Sequence, residues 1–143
     1  MKEINRMRLE FAGKPENESF ARMAVSAFFM QLNPTLEEMT DVKTAVSEAV
    51  TNAVVHAYPG KTGETIILQA RLFQERGIEI EVSDTGIGIA DLEQAMEPFY
   101  TTQPESERSG MGFQVMKSFM DDLQVTSVLG NGTQVKMRKM LNS

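Results

Sequence analysis

Between Ile78 and Ile89 the chain reads IEIEVSDTGIGI, an alternation of apolar and polar residues that ends at an aspartate and runs into two glycines. A period of two is that of a strand buried on one face, so Ile78, Ile80 and Val82 point into a core. Asp84 falls on the same side, at the inward position. Beyond it, Gly86 and Gly88 let the backbone turn without side chains, so a ligand can come close to the carboxylate. A strand of this kind needs an apolar layer over its inner face, and the remaining sequence offers helices to provide it.

Other segments with the same alternation are Arg6–Phe11, Thr65–Phe73, Gln124–Leu129 and Thr133–Met140, with the strand above continuing to Asp84. The spacing predicts a helix over Asn17–Leu32, stopped by Asn33-Pro34, with Phe20, Met23, Ala24, Ala27 and Phe28 as its core stripe and Arg22 on the opposite, exposed side. A second helix starts at Thr35, where Thr-Leu-Glu-Glu38 has the capping-box pattern. Its apolar positions Leu36, Met39, Val42, Val46, Ala49, Val50 and Ala53 carry it to about Ala57, before Pro59-Gly60. A short helix fits Ala90–Met96 and another Gly110–Asp122. Between them Glu97–Ser109 is polar and aperiodic, long enough in a small domain to suggest a lid. Together these give an α/β (α+β) two-layer sandwich, a mixed, mostly antiparallel sheet with helices on one face.

The 143 residues, 41% hydrophobic, suit one domain spanning 1–143. With no cysteine and one histidine, His56, neither disulfides nor a multi-histidine metal site can be built, and a reducing, cytoplasmic compartment is expected. The net charge of −6 disfavours direct nucleic-acid binding. MKEINRMRLEF lacks the apolar core of a signal peptide, and no apolar run approaches the roughly 20 residues of a membrane span.

Glu48 and Asn52 stand one helical turn apart, pointing away from the Val46, Val50, Ala53 stripe. Such a pair suits a solvated face, or a pocket wall among small neighbours such as Ala45 and Val55. Arg108-Ser-Gly110-Met-Gly112 ends a polar stretch as a helix begins, either an ordinary joint or a place where unpaired N–H groups meet phosphate oxygens. It is neither a Walker A sequence nor a dinucleotide fingerprint. Gly130-Asn-Gly132-Thr133 is a hairpin turn whose threonine is placed to face a base. Taken together, Asp84 accepts from the amino group of adenine, with Gly86 and Gly88 admitting the base, and Gly110 and Gly112 receive phosphates. The amide oxygen of Asn52 is a hard ligand for Mg²⁺, which needs few protein ligands, and Glu48 is positioned to take a proton.

Glu48-x-x-x-Asn52, Asp84-x-Gly86-x-Gly88 and Gly110-x-Gly112, in this order, resemble the ATP-binding superfamily of gyrase, Hsp90, histidine kinases and MutL. ENESFAR (16–22), VSEAVTNAVVHAY (46–58) and ERSGMGF (107–113) are similar to the anti-sigma F factors, the stage II sporulation protein AB family. The resemblance implies a histidine-kinase-like ATPase domain acting as a dimeric serine kinase. Such a protein binds a sporulation sigma factor while holding ATP, and phosphorylates a serine on an anti-anti-sigma protein. It also implies Glu48 as base toward that serine, Asn52 as Mg²⁺ ligand, Asp84 as adenine acceptor and Arg108 near the γ-phosphate. The ATP lid becomes about 97–112, and Arg22 a contact to both protein partners. Two departures stand out. Ala57 replaces a glycine common among relatives, and Phe99-Tyr100-Thr-Thr-Gln103 replaces Leu-Phe-Thr-Thr-Lys, removing a lid cation. Alternatives are a nucleotide-dependent sequestering module without kinase activity, and an anti-sigma kinase of a stress sigma factor. A histidine kinase is a lesser expectation, because no phosphoacceptor helix precedes the first strand and His56 follows the motif helix.

Overall fold

The computed structural model describes residues 1–57, 64–89, 96–97 and 112–142. In chain order the elements are β1 (Glu3–Ala12), α1 (Glu16–Phe29) with a 3₁₀ turn at Met30–Leu32, and α2 (Leu36–Asn52), which continues as a π-helical turn at Ala53–Ala57. They are followed by β2 (Thr65–Phe73), β3 (Gly77–Ser83), α3 (Gly112–Phe119), β4 (Asp122–Val128) and β5 (Gly132–Met140). The expected helix over Ala90–Met96 and most of the lid lie outside the described residues.

The five strands form one sheet in the order β1-β2-β3-β5-β4, and every ladder is antiparallel. The expected mixed sheet is thus antiparallel throughout its described strands. Because side chains alternate, Ile66, Leu68, Ala70 and Leu72 of β2 share the inner face with Ile78, Ile80 and Val82 of β3 and with Val135 and Met137 of β5, all buried. They pack in one core with α1, α2 and Met116 of α3. The outer face is polar. There Glu79, only 4% exposed, lies between Arg71 at 2.6 Å and Arg138 at 2.7 Å, while Lys136 and Arg71 flank Glu81. Paired on both sides, Glu79 avoids the penalty of an isolated buried charge.

The capping box at the start of α2 is formed as expected, Thr35 accepting from Glu38 N–H and Glu38 from Thr35 N–H. The core side of α2 holds Val42, Ala45, Val46, Ala49 and Val50, but Leu36 is 85% exposed. In α1 the expected stripe is rotated. Ala21, Val25, Phe28 and Phe29 are buried, whereas Phe20 and Met23 are 52% and 67% exposed. The helix is apolar on two faces, so spacing alone allowed either stripe, and the one running through Val25 and both Phe28 and Phe29 covers the sheet. This turns Arg22, expected on the exposed side, into a half-buried position between α1 and α2.

Candidate nucleotide site

Asp84 leaves the inner side of β3 one residue past its end and is half-buried. Its Oδ1 accepts from the N–H of Gly86 at 2.9 Å and of Thr133 at 3.2 Å, while its own N–H donates to the Thr133 carbonyl at 3.0 Å. Both side-chain bonds fall on one oxygen, and among the described residues no donor reaches Oδ2. Burial pushes this carboxyl above the ordinary aspartate range, and the two backbone N–H groups pull it back only in part.

The loop after Asp84 is held from both sides. Ile87 N–H donates to the Ala57 carbonyl at 2.9 Å, and the Ile87 carbonyl accepts from Gly130 N–H at 2.7 Å. A Cβ on Gly86 would overlap the Ala57 carbonyl, so only glycine lets the loop approach the π-helical turn. The contact uses the backbone of residue 57, which explains why alanine serves there. Gly88 sits at φ 74°, in the left-handed region, with the Val128 carbonyl where a Cβ would have to go. At the end of the loop, Ile89 N–H donates to Ser127 Oγ at 2.7 Å, and that hydroxyl lies 2.9 Å from Thr133 Oγ1.

Glu48 and Asn52 are half-buried rather than presented to solvent. They face the first turn of α3. A Cβ built on Gly112 would lie 3.3 Å from Glu48 Oε2 and 3.5 Å from both Asn52 Oδ1 and Nδ2. The absence of a side chain at Gly112 lets the backbone of α3 come up against a carboxylate and an amide. A carboxylate, an amide and the backbone of α3 therefore share one place. Among the described residues no group of three His, Asp or Glu could hold a metal by itself.

Asp84, Gly86, Gly88 and Thr133 thus form one cluster, and Glu48, Asn52 and Gly112 another. Gly110 and Arg108 lie outside the described residues. Arg22 stands apart: its Nη1 is 3.4 Å from Glu18 Oε1 and 3.4 Å from Ser47 Oγ, in a groove of about 180 Å³ lined with Thr40, Lys43, Thr44 and Ser47. The spacing gave no sign of two features. Ser127 joins the loop to the hairpin only through strand pairing, and the π-helical turn between Asn52 and Ala57 has no sequence signature in AVVHA.

The family model for the histidine kinase-like ATPase domain matches residues 11–139. An anti-sigma F factor of Clostridium perfringens is 55% identical over 139 residues, covering 97% of this chain and 99% of the relative. The chain belongs to the anti-sigma F factor family. Its counterpart in Clostridium acetobutylicum is 54% identical over 135 residues, covering 94% of this chain and 93% of the relative. Among solved structures, the RsbU and RsbW domains of a Mycobacterium tuberculosis protein share the fold at a TM-score of 0.69 and 14% identity, over 96% of this chain and 33% of that one. The histidine kinase domain of a blue-light activated kinase from Erythrobacter litoralis does so at 0.60 and 18%, over 87% of this chain and 64% of that one. Among the described residues of this anti-sigma F family member, no helix is long and apolar enough to cross a membrane.

Proposed function

We propose that this chain is an anti-sigma factor that binds and inhibits a sporulation sigma factor, and that uses Mg-ATP to phosphorylate a serine of an anti-anti-sigma protein. The observation that carries the kinase reading is the meeting of Glu48 and Asn52 with Gly112 at the start of α3. The local chemistry fits the nucleotide and its metal. A side chain at position 112 would fill the space in front of Glu48 and Asn52, and Asp84 presents an anchored carboxylate beside glycines.

When bound, Mg-ATP supplies the transferable phosphoryl group and the positive charge that offsets its oxygens. Asp84 accepts from the adenine amino group while Gly86, Gly88 and Thr133 border the base. Asn52 Oδ1 would hold the metal, and the N–H groups of Gly110 and Gly112 would be the donors for phosphate oxygens. Glu48 would take the proton of the serine hydroxyl, and Arg108, in the lid of about 97–112, would supply positive charge for the γ-phosphate. Arg22, beside Lys43, offers a planar donor pair to a partner carboxylate. A homodimer in the cytoplasm, acting without direct nucleic-acid or membrane contact, completes the reading.

The test is incubation with γ-labelled ATP, Mg²⁺ and the anti-anti-sigma protein, with and without its acceptor serine. Label on the serine is expected, and none on a serine-to-alanine partner. ATP-dependent retention of the sigma factor without any label transfer would reduce the protein to a sequestering module.

A further inference from the structure

Ser127 and Thr133 are direct partners across the β4–β5 ladder, and their hydroxyl oxygens lie 2.9 Å apart. Thr133 is also tied to Asp84 twice, through its N–H to Oδ1 and its carbonyl to the Asp84 N–H. Ser127 Oγ further accepts from Ile89 N–H at 2.7 Å and lies 3.2 Å from the Gly132 carbonyl. One hydroxyl therefore joins the Gly86–Ile89 loop, the hairpin tip and the threonine beside the aspartate.

A hydroxyl has one proton and two lone pairs. With one lone pair of Ser127 taken by Ile89 N–H, its proton goes either to Thr133 Oγ1, at 2.9 Å, or to the Gly132 carbonyl, at 3.2 Å. Both choices keep the 2.9 Å contact; in the first Thr133 accepts across it, which leaves the threonine proton available to an acceptor on a ligand. The second makes Thr133 donate to Ser127, leaving only its lone pairs. The distinction matters for purines. A carboxylate alone accepts from adenine N6–H or equally from guanine N1–H and N2–H, so Asp84 by itself does not choose between them. A neighbouring hydroxyl donor does, because adenine N1 accepts a proton and guanine N1 carries one.

We infer that Ser127 is a positioning residue of the nucleotide site, holding the Thr133 hydroxyl as a donor beside Asp84 and so setting the preference for adenine over guanine. The inference rests on the adenine reading of Asp84. It acts through two partners at once, because losing Ser127 also leaves Ile89 N–H without its acceptor and loosens the end of the Gly86–Ile89 loop.

The experiment is titration calorimetry of ADP and GDP into wild type, Ser127→Ala and Ser127→Thr. Ser127→Ala is expected to weaken ADP about tenfold or more, and GDP by a smaller factor through the loosened loop alone, so the ADP-to-GDP ratio narrows. Ser127→Thr keeps the hydroxyl and should keep the ratio. Equal loss for both nucleotides, or an unchanged ratio in Ser127→Ala, would overturn the inference and leave Ser127 a structural residue. If Ser127→Ala does not fold, Thr133→Val removes the same hydroxyl pair from the other strand and must narrow the ratio alike; an unchanged ratio there has the same overturning force. Wild-type protein that binds ADP and GDP equally would overturn the inference as well, whereas unchanged ADP affinity in Asp84→Asn would refute the adenine reading of Asp84 itself.

Discussion

Two carboxylates mark opposite ends of this molecule, and they are treated in opposite ways. Glu38, at the start of α2 and 6% exposed, spreads its bonds over both oxygens: Oε1 accepts from Thr35 N–H at 2.8 Å and Oε2 from Asn142 N–H at 3.0 Å. Arg76 closes the arrangement, donating to the carbonyls of Asn142 and Leu32. The Thr35 N–H, with help from Asn142 and the Arg76 charge, holds Glu38 below the ordinary glutamate range against its desolvation. Asp84 also receives two backbone N–H groups, but on one oxygen, and burial drives it the other way. A carboxylate whose lone pairs are used within the chain fastens three segments together. Asp84, whose second oxygen meets no donor among the described residues, is less stabilised by its own chain.

The widest separation between the two ends is expected at Glu48, which shares the nucleotide end with Asp84. Glu48→Gln keeps the shape but cannot take a proton, so serine phosphorylation should fall by about 10²-fold or more while ADP affinity stays near wild type. Single-turnover transfer beside nucleotide titration checks this, and a wild-type transfer rate would leave Glu48 without its role. Arg22→Ala comes next. Losing a bidentate anchor should weaken capture of sigma factor and anti-anti-sigma protein by roughly 2 kcal/mol, about thirtyfold, with thermal stability and ADP affinity nearly unchanged. Surface capture with each partner, and unchanged dissociation rates as the contrary result, decides it.

At the other end, Glu38→Ala removes half of a capping box and leaves the Asn142 N–H without its acceptor. Unfolding free energy should drop by about 1–2 kcal/mol in urea denaturation, with ADP affinity unaltered. A drop in affinity instead would erase the distinction between the ends. The smallest effects are in pH. Glu38, with its folded value lowered, adds stability that is present above the unfolded value and lost as pH falls through the folded one. Asp84, with its folded value raised, binds protons more readily folded than unfolded. Acidification from neutrality through that raised value therefore favours the folded state slightly while removing the acceptor proposed for adenine. Thermal melts of wild type and Glu38→Gln against pH, beside ADP titrations over the same range, should show stability and affinity moving apart as the medium becomes mildly acid.

The two ends also differ in how much of them the sequence discloses. Asp84 is legible because alternation through Ile78, Ile80 and Val82 fixes its side of the strand, and glycines after it are a local signal. Glu48 and Asn52 are legible as a pair, since helical spacing relates residues four apart. What lies opposite them is not: Gly112 is 60 residues beyond Asn52, and only the packing of α3 on α2 brings it there. Ser127 is silent for the same reason, since QVTSV reads as an ordinary strand and its hydroxyl gains meaning from register with Thr133. Thr35 and Glu38 announce the cap, but the bond from Asn142, 104 residues away, has no trace in either segment. The misplaced stripe of α1 is a different failure. Phe20 and Met23 are as apolar as the residues that are buried, and a helix with two apolar faces leaves the choice to tertiary packing.

The adenine role of Asp84 is tested most directly by titration calorimetry of ADP into wild type, Asp84→Asn and Glu38→Gln at neutral pH, with folding of each verified by its melt. Asp84→Asn exchanges an acceptor for a group that can present a donor, and should weaken ADP by roughly ten- to a hundredfold while keeping the fold. Glu38→Gln should lower stability and leave ADP affinity in place. Equal ADP affinity in wild type and Asp84→Asn would contradict the assignment and make Asp84 a structural carboxylate like Glu38.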